Sequence, residues 1–130
     1  MKLKCIGNSL ADLVDSVEKA AYAEYAHLDQ VDLEVGCEYT AFGVAFHGRN
    51  GLPWFLVCED EDDDYPSLHL GAFFEIVDGS IPSDWVLTQQ KNNVGDMSFL
   101  PDRWSRDPCF LEKLVDGDSD AIAYFKSLKA

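Results

Sequence analysis

Residues 38–58 hold the pattern that most limits how this chain can fold. Glu38 to Phe46 reads Glu-Tyr-Thr-Ala-Phe-Gly-Val-Ala-Phe, and Leu52 to Cys58 reads Leu-Pro-Trp-Phe-Leu-Val-Cys. In an extended chain, alternate side chains take opposite faces. Tyr39, Ala41, Gly43 and Ala45 therefore share one face, and Thr40, Phe42, Val44 and Phe46 the other. The connection His47-Gly48-Arg49-Asn50-Gly51 ends in Asn-Gly, a strong hairpin signal. Pro53 has no N–H to donate and belongs near the start of its strand. Both strands carry apolar groups on both faces, so neither face can be left to water. The hairpin must be covered twice or curl into a barrel-like sheet.

The flanking sequence supplies the covers. Leu10, Val14, Val17, Ala21 and Leu28 recur near helical spacing and predict a helix from Ser9 to about Leu28. Asn8 or Ser9 can cap it, with Asp12 in its first turn. A third strand is predicted over Leu70–Val77, a fourth over Trp85–Gln89 and a short fifth over Met97–Leu100. Asp107-Pro108 opens a helix carrying Phe110, Leu111, Leu114 and Val115, and Gly117 can stop it. Asp118 or Ser119 then caps a last helix with Ile122, Phe125 and Leu128 inward. The expected fold is α+β in one domain over residues 1–130. It has an N-terminal helix, a curved antiparallel meander of four to five strands and two short C-terminal helices.

Charge narrows the function. The 130 residues hold 24 acidic and 10 basic side chains, a net charge of −14. Phosphate recognition needs clustered Lys and Arg, so nucleic-acid binding is not expected. The distribution says more than the total. Between Arg49 and Lys91 there is no basic residue, while Glu59 to Asp64 are six consecutive acids and Glu75, Asp78 and Asp84 follow. Such a patch repels itself, and a basic partner is a reason to keep it. Trp54, Tyr65 and Trp85 flank the interval and are candidate aromatic anchors, or else core residues. Lys2 and Lys4 are followed by no apolar run, and no stretch nears the length of a membrane span, so a cytoplasmic protein is expected.

Specific chemistry finds little support. Asp60-x-Asp62-x-Asp64 resembles the start of a calcium loop, but Tyr65 and Gly71 stand where glycine and glutamate are needed. Asp116-x-Asp118-x-Asp120 fails in the same way, with Ala121 and Ser127. Cys5, Cys37, Cys58 and Cys109 have no zinc spacing and read as reduced, buried thiols. His27, His47 and His69 are scattered, with no nucleophile motif beside them. No enzyme, cofactor or metal is expected.

Val35-Gly36-Cys37-Glu38-Tyr39-Thr40-Ala41-Phe42-Gly43 and Gly51-Leu52-Pro53-Trp54-Phe55-Leu56-Val57-Cys58-Glu59-Asp60 resemble small bacterial immunity proteins. These are cytosolic antidotes to polymorphic or contact-dependent toxins. Phe74 to Gly79, Trp85 and the tail from Trp104 to Asp118 are similar to the same group, so the likeness covers about residues 31–125. It implies a non-enzymatic inhibitor of one cognate toxin. Many such toxins are nucleases with basic clefts. The partner-binding residues expected on that reading are Glu59, Asp60, Glu61, Asp62, Asp63 and Asp64 with Tyr65 and Trp54. The alternative is a small acidic regulatory or adaptor domain that binds another basic protein or a ligand.

Overall fold

The computed structural model describes residues 1–25, 31–47, 50–89 and 97–130. Among these, seven strands form one antiparallel sheet: β1 (Lys2–Cys5), β2 (Glu38–His47), β3 (Leu52–Val57), β4 (Ser67–Leu70), β5 (Phe74–Asp78), β6 (Trp85–Thr88) and β7 (Met97–Pro101). Four helices accompany it: α1 (Ser16–Tyr25), α2 (Asp102–Ser105), α3 (Phe110–Val115) and α4 (Ser119–Lys129). The α+β class holds.

The predicted hairpin is the centre of the molecule. β2 pairs β3 from Ala41↔Val57 to His47↔Leu52. On its other side β2 serves two partners. Its first residues pair β1 at Lys2↔Thr40, and its last pair β7 at Val44↔Phe99. The sheet therefore forks along β2. A bulge between Ala41 and Gly43 leaves Phe42 unpaired with β3, at the point where the branches separate. Gly43 is needed there. A Cβ at this position would lie 2.8 Å from Leu100 Cδ2 and 2.9 Å from Leu56 Cδ1.

The sheet is covered on both faces, and it does not close into a barrel: β4 and β5 end the main path, and β6 ends the branch. One core gathers Leu3, Tyr22, Leu33, Val44, Phe55, Phe73 and Phe74. The other gathers Phe42, Leu56, Leu100, Trp104, Phe110 and Phe125 around the C-terminal helices.

Several expectations need correction. Residues 9–28 are not one helix. Leu10–Asp12 is a 3-10 turn, Leu13 is extended, and α1 starts at Ser16. Asp12 turns back to accept from the Asn8 and Ser9 N–H groups at 3.0 and 3.2 Å, which closes the first turn. Asp15 then accepts from Val17 and Glu18 at 2.8 and 3.1 Å and caps a new helix. Residues 26–28 of that prediction lie outside the described residues. The predicted third strand is two strands. Gly71–Phe73 form a 3-10 turn that sends β4 to β3 and β5 to β1. Gly71 sits so close to the Pro53 carbonyl that a Cβ would meet it at 2.8 Å. β1 precedes the N-terminal helix and was not anticipated, and the C-terminal region has three helices rather than two.

The end of α3 follows its sequence signals. Gly117 takes φ +83°, and the Asp118 N–H reaches back to the Lys113 carbonyl at 2.9 Å, a Schellman closure. Asp118 then caps α4 by accepting from the Ala121 N–H at 2.9 Å. No described helix is long and apolar enough to cross a membrane.

Candidate functional site

The acidic run leaves the end of β3 and forms a compact turn. Six adjacent carboxylates repel one another, so holding them in one place requires donors. The loop supplies some from its own backbone. The Asp60 N–H donates to Asp63 Oδ2 and the Asp62 N–H to Asp60 Oδ1, each at 3.1 Å. The Asp63 N–H donates to the Asp60 carbonyl at 3.1 Å. The remaining hold comes from the far end of the chain. Lys129, in the last turn of α4, donates from Nζ to the carbonyls of Glu61, at 2.9 Å, and Asp63. Its ammonium also lies 5.1 Å from the Phe125 ring centroid.

This ammonium therefore binds loop carbonyls rather than loop carboxylates. Asp60, Glu61, Asp62 and Asp64 are exposed and Asp63 is half-buried. Among the described residues none of these five forms a salt bridge. The result is a turn braced by the Asp60 and Asp63 carboxylates, which accept from its own backbone, with Glu61, Asp62 and Asp64 left to solvent.

The structure separates the two aromatics expected beside the loop. Tyr65 is 42% exposed and stands at the loop's exit. Trp54 is only 5% exposed and packs in the first core, so it is removed from the contact surface. Its place at the third position of β3, opposite Leu70 of β4, turns it inward. Trp85 is half-buried against the same core. The cysteines are free thiols, but Cys109 is exposed and Cys37 half-buried, not fully buried as expected. Burial pushes the Cys58 thiol up to about 11.

Sequence reading missed two residues at this site. His69, on β4, is buried, and its Nε2 lies 3.3 Å from Glu59 Oε1 without forming a hydrogen bond. Burial lowers its pKa to about 4, so the ring is neutral at neutral pH. Glu59 is raised above the ordinary carboxylate value, first by burial and then by the charges of Asp32 and Asp63. The second missed residue is Lys129, which no local motif marks. A groove of about 770 Å³ joins these parts, running between the start of β2, the acidic loop and the end of α4. Among the described residues no cluster of three or more His, Cys, Asp or Glu could hold a metal ion.

No protein-family model, curated protein or solved structure matches this chain.

Proposed function

We propose that this protein is an immunity-type inhibitor that binds a cognate bacterial toxin and neutralises it by covering a basic, substrate-binding cleft. A nuclease is the toxin class such a surface suits best, because an array of carboxylates competes with phosphate for the same lysines and arginines. The observation that carries the reading is the acidic turn. Its backbone is held by Lys129, while the side chains of Asp60–Asp64 are left without cationic partners among the described residues. A fixed loop loses little conformational freedom on binding, and an unpaired negative array accelerates encounter with a positive one. Tyr65 adds an exposed aromatic next to the charges. The resemblance of the Val35–Gly43 and Gly51–Asp60 motifs to those of immunity proteins motivates the same reading.

The test is to look for a basic toxin domain encoded next to this gene, whose absence would favour the adaptor reading, and to measure its association kinetics with this protein. Replacing Glu59–Asp64 by Gln and Asn is expected to slow association about 10- to 100-fold at low salt and to flatten its salt dependence. Unchanged kinetics would reduce the loop to a solvated surface and overturn the proposal.

A further inference from the structure

The groove beside the acidic loop has a composition the loop alone does not. Its walls hold four carboxylates, from Glu38, Glu59, Glu61 and Asp62, against two ammonium groups, from Lys2 and Lys129. Both ammonium groups are already engaged. Lys2 donates to Thr40 Oγ1 at 2.8 Å, and Lys129 holds the loop carbonyls. The lining also includes Tyr39, Phe42 and Leu128. Carboxylates set against aromatic and aliphatic surface match one side chain above others. A guanidinium pairs with carboxylates through a planar fork, stacks on rings and lays a three-carbon stem along apolar surface.

Glu59 marks where that fork would go. Among the described residues it has no Lys or Arg partner, and its ionised form is disfavoured by burial and by Asp32 and Asp63. The neighbouring imidazole does not relieve it. The His69 side chain is only 3% exposed, and its Nε2 points at Glu59 from 3.3 Å without a hydrogen bond. Of the two, only Glu59 lines the groove, and its side chain, 33% exposed, is the one an entering cation can reach.

We propose that this groove seats an arginine side chain of a basic partner protein, with Glu59 receiving the guanidinium and Tyr39, Phe42 and Leu128 flanking its stem. The proposal rests on the inhibitor reading above and adds to it the residue the partner must present. A cation at this position removes the penalty on Glu59 ionisation, which the free protein carries.

The tripeptide Gly-Arg-Gly, its lysine counterpart and its neutral citrulline counterpart are the probes, titrated into the isotopically labelled full chain and followed by amide shifts. The arginine peptide is expected to move Cys58, Glu59, Glu61 and Leu128, the lysine peptide to bind more weakly, and the citrulline peptide to move nothing. Glu59→Gln should weaken arginine binding about ten-fold and raise the melting temperature of the free protein. That rise separates lost recognition from lost folding. Shifts confined to Asp60–Asp64 and insensitive to Glu59→Gln, or equal binding of lysine, overturn the groove and leave the acidic-loop reading standing. A wild-type protein that takes arginine here but binds no toxin domain from a neighbouring gene overturns the inhibitor reading alone.

Discussion

His69 is the residue with the clearest measurable consequence. Its ring is held neutral by burial, with a pKa near 4 against 6.5 for an exposed imidazole. The unfolded chain takes up a proton at this side chain as pH falls below about 6.5, and the folded chain does not. The His69 contribution to stability is therefore complete above that pH and is lost as pH falls toward 4, by up to roughly 3 kcal/mol. Denaturant titrations at pH 7, 6 and 5 are expected to show that decline. The His69 ring should remain neutral by NMR at pH 5.5. A ring that titrates near 6.5 would show that burial does not control it. Glu59 acts with the opposite sign. Its folded pKa is raised, so the penalty on its charge sets in as pH rises past the ordinary carboxylate value and levels off above the folded one.

At the scale of elements, the acidic loop and α4 form one device although more than sixty residues separate Lys129 from the carbonyls it holds. Lys129→Met keeps an unbranched stem over Phe125 and removes the ammonium that holds Glu61 and Asp63. A loss of about 1 kcal/mol in stability is expected, together with faster amide exchange over residues 60–63. Exchange rates equal to wild type would show that the loop's internal bonds hold it unaided. Local signals made some elements legible and left others hidden. The hairpin could be read because apolar residues recur on both of its faces, and the α3–α4 junction because Gly117 and Asp118 act within five residues of their partners. β1 spans only Lys2–Cys5, too few alternations to stand out. The break between β4 and β5 depends on Gly71 meeting the Pro53 carbonyl, a tertiary contact with no local trace. Trp54 and Tyr65 look alike in sequence for the same reason: one is turned inward by its place on β3 and the other left outside by its place in the loop, not by the residues beside them.

For the whole molecule, the net charge of −14 acts on folding as well as on partners. Like charges spread over a small surface repel, and dissolved ions screen that repulsion over about 8–10 Å at physiological salt. The melting temperature should therefore rise by a few degrees as sodium chloride goes from about 10 to 150 mM. A flat or falling curve would mean that favourable ion pairs, such as Lys113–Asp107, outweigh the repulsion.

The forked sheet also governs how the chain meets its own parts during synthesis. β1 precedes every other strand in the sequence, yet it pairs with β2 and with β5 beyond the middle of the sequence. β2 must then wait for β7, and the core on that branch lacks Phe125 until α4 has emerged. Long-range pairings of this kind fold slowly compared with helical bundles. Until the C-terminal helices dock, the central hairpin, the most apolar stretch of the sequence, therefore keeps one face open to water.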